Sequence, residues 1–195
     1  MKTFIAREFA KTLENFQTMA GDPLLVAQIE AAVSLAVAAL RSGKKLLFAG
    51  NGGSAADAQH WAGELVSRFY FDRPGLPAIA LTTDSSVLTA IGNDYGFEQV
   101  FARQVEALGQ AGDVLVLIST SGRSPNILRA IAAAQAKAIT VIGFTGESGG
   151  DMAAHCDVCF RIPSSDTPRI QEGHEFIGHV FCALIEAGMF PADAS

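Results

Sequence analysis

The chain has 195 residues, 49% of them hydrophobic and 17% charged, which is enough apolar material for one core and too little charge for a disordered chain. Lys and Arg number 14 against 20 Asp and Glu, a net charge of −6 with no basic block, and this balance argues against electrostatic nucleic-acid binding. The longest nearly apolar run, residues 31–40, is too short to span a bilayer, and Lys2, Arg7, Glu8 and Lys11 leave no apolar region for a signal peptide, so one cytoplasmic domain over residues 1–195 is expected.

Ile5, Phe9, Leu13, Phe16 and Ala20 recur at helical spacing. Asp22 and Pro23 then provide an N-cap and a first-turn proline for a second helix carrying Leu25, Ile29, Val33, Ala36 and Leu40, with Gly43 at its end. This helical pair, residues 1–43, either covers the core or pairs with another subunit. The pattern changes over residues 44–190. Short apolar runs at 45–49, 78–81, 114–118, 140–144 and 158–162 each lead into a small or polar loop and then a helix. Continuous apolar runs indicate strands buried on both faces, and their alternation with helices predicts a five-stranded, doubly wound parallel α/β sheet. Ligands bind such sheets at the carboxyl ends of the strands, where all these polar loops lie. The tail, residues 191–195, is expected to fray.

The loop Gly50-Asn51-Gly52-Gly53-Ser54 opens a helix, so its backbone N–H groups offer an anion site. With Ala55 it also matches the dinucleotide fingerprint, which requires an acidic residue ending the next strand. Asp72 stands at the right distance but in a turn, so no nucleotide cofactor is expected. In the loop of residues 119–125, Ser119, Thr120, Ser121 and Ser124 crowd a strand-to-helix turn ahead of Pro125. One hydroxyl is enough for a helix cap; four suit a phosphate monoester.

Asp57, His60 and Glu64 fall on one stripe of the helix after the glycine loop, beside an apolar stripe of Ala58, Trp61, Ala62 and Leu65. That polar stripe is an acid/base set, a metal site built on His60 and Glu64 at i, i+4, or a solvated face with a local ion pair. The last helix carries Gln171, Glu172, His174, Glu175 and His179, with Ile177, Val180, Phe181, Leu184 and Ile185 as its expected buried face. Gly173 and Gly178 inside it point to close approach of a neighbour. Gln171 and His179 are separated by about 12 Å of helix rise, so both serve one ion only if the helix is distorted or two subunits contribute. Cys156 and Cys159 form a C-x-x-C pair that a strand would place on opposite faces, and all three cysteines, Cys182 included, are expected to be buried free thiols.

Together, residues 49–60, 88–96, 119–126 and 170–174 resemble the sugar-isomerase (SIS) domain family over nearly the whole chain. The resemblance implies a flavodoxin-like sheet and a homotetramer with active sites between subunits. It implies an aldose–ketose isomerase that turns sedoheptulose 7-phosphate into D-glycero-D-manno-heptose 7-phosphate for lipopolysaccharide heptose. Matching positions imply zinc on His60, Glu64, Gln171 and His179, and substrate contacts from Asn51, Gly52, Gly53, Ser54, Glu64, Asn93, Asp94, Ser119, Thr120, Ser121, Ser124 and Gln171. For the enediol chemistry, Glu64 serves as base, His179 as its acid/base partner and Asp57 as a tuning group. The same fold also serves non-catalytic proteins that bind a replication initiator; Glu64 and His179 are the residues such proteins are expected to lack. A phosphosugar-sensing regulator would be expected to add a basic DNA-binding segment.

Overall fold

The computed structural model describes residues 1–191, so the fraying expected of the tail falls, from residue 192 onward, outside the described residues. Two helices lead, α1 (Lys2–Ala20) and α2 (Pro23–Arg41). The core follows as β1 (Leu46–Gly50), α3 (Gly53–Val66), β2 (Ala78–Ala80), α4 (Ser85–Tyr95), α5 (Ala102–Leu108), β3 (Val114–Ile118), α6 (Pro125–Ala136), β4 (Thr140–Gly146), β5 (Val158–Ile162) and α7 (Thr167–Met189). All strands are parallel in the order β2-β1-β3-β4-β5, the flavodoxin-like arrangement with its switch point between β1 and β3. One apolar cluster joins α2, α3 and α7 to one face of the sheet; the other joins α5 and α6 to the opposite face.

β1 and β3 are buried along their full length, as continuous apolar runs require. β2 departs from that expectation. It is a three-residue edge strand with Ile79 39% exposed, so it is not covered on both faces. The expected helix between β4 and β5 is also missing. The chain there makes only a 3₁₀ turn, Ala153–His155. Gly149 and Gly150 take positive φ of 74° and 53° and back directly onto the 119–124 loop, while Asp151 and Met152 each donate an N–H to Gly122 O at 3.0 Å. This segment braces a loop and leaves too little chain for a helix.

Asp22 caps α2 by accepting from Leu24 N at 2.9 Å, and Gly43 at φ +71° follows its end. α2 as a whole is long and apolar enough, by length and composition alone, to cross a membrane, which corrects the reading based on residues 31–40. Its Leu25, Ile29, Ala32, Ala36, Ala39 and Leu40 are buried in the core. α1 instead leaves Phe4, Ile5, Phe9 and Leu13 exposed, and α4 buries no residue.

α7 buries Ile177, Phe181 and Ile185 as expected, whereas Val180 is only half-buried and Leu184 is exposed. Both glycines are explained by contact. A Cβ on Gly173 would meet the Ile162 side chain at 2.9 Å, and one on Gly178 would overlap the indole of Trp61. Trp61 is fully buried and packs on Phe48 and Phe144, so it has nowhere to retreat. Gly178→Ala should therefore cost about 3 kcal/mol of stability through overpacking despite its better helix propensity, measured by urea unfolding.

His174 is fully buried between the helix and the sheet, with Nε2 3.2 Å from Thr145 O and Nδ1 without a partner. Burial lowers its pKa to about 4, against a smaller opposing effect of the Thr145 carbonyl. The unfolded chain binds this proton first, so its effect is absent above the ordinary histidine range and stability falls as pH drops from about 6.5 toward 4. The loss should approach about 3 kcal/mol at the acid end. Thermal unfolding at pH 7.5 and pH 5 should show a smaller acid-induced drop in His174→Gln than in the parent chain.

Candidate active site

The glycine loop leaves β1 at Gly50, where a side chain would strike the Ser54 backbone, and turns through Gly52 at φ +58° into α3. Ser54 is buried under this turn. Across the sheet switch point, the loop after β3 enters α6. Ser124 stands at the N-cap of α6, but its hydroxyl makes no cap bond; Oγ lies 3.2 Å from Ser119 Oγ. Ser119 Oγ also accepts from Gly122 N, and Ser121 Oγ from Arg123 N, each at 3.2 Å. Ser124 therefore does not act as a side-chain cap. Asn51 and Asn126 exchange amide hydrogen bonds of 2.9 and 2.8 Å, joining the two loops. Thr120 and Ser121 face an open cleft of about 340 Å³, while Asn51 and Ser124 line another of about 550 Å³.

Two turns along α3, His60 and Glu64 meet His179 from α7. His60 Nε2 is 3.0 Å from Glu64 Oε1 and 3.3 Å from His179 Nε2. One donor atom from each of the three lies within 4.8 Å of the others. Glu175, one turn before His179, sets Oε1 at 3.3 Å from His60 Nδ1 and 3.0 Å from His179 Nε2, while its other oxygen accepts from Trp61 Nε1 at 3.3 Å. Asp57 stands beside them with Oδ2 buried and, among the described residues, unpartnered. Burial, then the charge of Glu175, raise the Asp57 carboxyl to about 6, with His60 opposing.

A family model described as SIS domain matches residues 8–146. The chain is 55% identical over 188 residues to a phosphoheptose isomerase of Burkholderia pseudomallei, covering 96% of this chain and 95% of that protein. It is 52% identical over 190 residues to the phosphoheptose isomerase of Aneurinibacillus thermoaerophilus, covering 97% and 96%. The chain belongs to the SIS domain family. Within it, the chain stands among the phosphoheptose isomerases and is itself an isomerase. The solved phosphoheptose isomerase of Neisseria gonorrhoeae superposes with a TM-score of 0.89 at 45% identity, covering 95% of this chain and 98% of that one.

Not every expected site residue of this SIS protein comes together in one chain. His60, Glu64 and His179 do; Asp57 flanks them. Gln171 lies elsewhere: α7 is continuous from Thr167 to Met189, and the Gln171 amide sits against Gly53, where a Cβ would come within 2.5 Å of its Nε2. Asn93 and Asp94 are exposed near the end of α4, and Asn93 Nδ2 bonds only its neighbour's Oδ1, at 2.7 Å. Sequence reasoning named Glu175 on the last helix without giving it a role, and gave none to Asn126. Glu175 falls one helical turn from His179, the spacing that could have marked it. The Asn51–Asn126 pair spans 75 residues and leaves no local signal.

Proposed function

We propose that this isomerase interconverts sedoheptulose 7-phosphate and D-glycero-D-manno-heptose 7-phosphate in the cytoplasm, supplying heptose for lipopolysaccharide. The observation that carries this reading is the meeting of a carboxylate and an imidazole from different helices, Glu64 and His179, both at Nε2 of His60. Enediol chemistry needs that pair. A base must take a weakly acidic C–H proton while an acid protonates the carbonyl oxygen.

In this reading the loop of Ser119, Thr120, Ser121 and Ser124 holds the phosphoryl group with hydroxyls and the N–H groups at the start of α6. Asn51, Gly52, Gly53, Ser54 and Gln171 bind the sugar along the glycine loop. Glu64 takes the proton from carbon 1 and returns it to carbon 2. His179 gives a proton to the carbonyl oxygen at carbon 2 and recovers one from the hydroxyl at carbon 1. Asp57, half-buried among these groups, tunes their charge, and Glu175 fixes the His60 ring through Nδ1.

The donor set fits zinc: two imidazoles and a carboxylate with one donor atom each within 4.8 Å of the others. His60, Glu64 and His179 would hold it, with Gln171 as a further ligand. When bound, the ion would polarise the sugar oxygens and stabilise enediolate charge. The two uses of Glu64 compete, since ligation weakens a base. No nucleotide cofactor enters this scheme.

Gln171 lies too far along α7 from His179 to share its ion within one chain, which supports a homotetramer whose sites form between subunits. The exposed apolar face of α1 and the unburied α4, which carries Asn93 and Asp94, support the same assembly. Residues 1–195 are read as one domain because a single sheet carries the helices on both faces.

Incubating the purified protein with sedoheptulose 7-phosphate and following the aldose by NMR tests this function. Absence of product, with tight binding to a replication-initiator protein, would replace it with the non-catalytic reading. Ser121→Ala should raise KM about tenfold with kcat little changed, as loss of one hydrogen bond to a charged group predicts; an unchanged KM in steady-state kinetics would remove Ser121 from the phosphate site.

A further inference from the structure

Cys156 and Cys159 lie away from the site described above, at the opposite ends of the strands. A strand through both would have parted their sulfurs. β5, however, begins only at Val158, and Cys156 instead ends the 3₁₀ turn Ala153–His155. Both sulfurs consequently converge on Gly143 of β4, the residue paired with Cys159. A Cβ on Gly143 would stand 2.7 Å from Cys156 Sγ and 3.2 Å from Cys159 Sγ. The glycine is what makes room for two thiols in one hollow.

The thiols also bear on each other. Cys156 Sγ donates to Met152 O at 3.3 Å, on the same side of Gly143 as the Cys159 sulfur. Their mutual contact holds the Cys159 thiol below its ordinary range and pushes Cys156 up. Access differs between them: Cys159 is buried, whereas Cys156 is half-buried and lines an open cleft of about 450 Å³ beside His155 and Asp157. The third thiol, Cys182, is fully buried against Trp61 O and takes no part.

We propose that Cys156 and Cys159 form a reversible dithiol–disulfide couple, oxidised by exchange with a low-molecular-weight disulfide that enters at Cys156. Cys156 is the harder of the two to ionise but the only one a reagent can reach, so it gives its proton to solvent hydroxide and its sulfur attacks one sulfur of the reagent RSSR, expelling RS⁻ and leaving a mixed disulfide. Cys159 then attacks Cys156 Sγ and expels the second RS⁻. The two protons end on the two released thiols. The cysteines are oxidised by two electrons, RSSR is reduced to two RSH, and an excess of RSH reverses the reaction.

The test treats the full chain with oxidised glutathione, then unfolds it and counts thiols. The count should fall from the three free cysteines to one, with a mass loss of two hydrogens and a proteolytic fragment joining Cys156 to Cys159. Dithiothreitol should restore all thiols. Cys159→Ser should stop at one glutathione adduct on Cys156. Three remaining thiols in the treated parent chain, a bond to Cys182 or to a second chain, or a stable adduct on the parent Cys156 would each overturn the couple. The parent-chain fragment map decides the matter even if the variant fails to fold.

Discussion

Glu64→Gln and His179→Ala should each lower kcat by about three orders of magnitude while the far-ultraviolet circular dichroism stays that of the parent chain. The size follows from general acid–base catalysis, where one correctly placed proton-transfer group contributes roughly 10²–10⁴-fold. Gln keeps the shape of Glu64 and its contact with His60 but cannot accept the carbon-bound proton. Both side chains are partly solvent-exposed, 25% for Glu64 and 40% for His179, so neither substitution empties a core. Because the two groups act on one proton inventory, the double variant should be little worse than the slower single one. A rate within a few-fold of the parent chain in either single variant would remove that residue from the reaction.

Glu186→Gln should destabilise the protein by about 3–5 kcal/mol, the usual cost of stripping one partner from a buried ion pair. Glu186 and Arg73 are both fully buried, with Arg73 Nε 2.9 Å from Glu186 Oε1. The carboxylate also accepts the backbone N–H groups of Phe69 and Tyr70 at 2.8 and 2.7 Å. Arg73 in turn donates to the carbonyls of Leu65, Ser67 and Glu64 at 2.6, 3.0 and 2.9 Å. This hub pins the chain after α3 to the end of α7. Burial works to raise the Glu186 carboxyl, but the two N–H groups and Arg73 outweigh it and hold it low. Its contribution is accordingly complete above the ordinary carboxylate range and is lost only as pH falls below it. Urea unfolding of the variant at pH 7 measures the cost; a loss under 1 kcal/mol would show that the hub is not structural.

Legibility followed the range of the interactions. Val114–Ile118 was read residue for residue, because a strand covered on both faces needs an unbroken apolar run; the bounds of Val158–Ile162 were also right, although that strand is an edge whose Arg161 is exposed and so departs from the expected burial. The stripe of Asp57, His60 and Glu64 was readable because helical periodicity is local. β2 misled, since a short apolar run does not reveal whether a further strand lies beside it. The missing helix after β4 misled for another reason: Gly149 and Gly150 follow the shape of a distant loop, not their own propensity. Glu175, Asn126 and Glu186 resemble ordinary surface residues in a helical pattern, and Arg73 an ordinary loop charge. Only their long-range partners give them meaning.

The paired amides of Asn51 and Asn126 have a consequence for how the two ligand loops respond to damage. Each amide spends a donor and an acceptor on the other, so shortening Asn51 strands both groups of the buried Asn126. The anion-facing turn after β1 and the alcohol-rich turn after β3 therefore behave as one mechanical body above the neighbouring ends of these two strands. Disturbance of the first reaches the second without passing through any ligand, and damage to the two turns should not add as if they were independent.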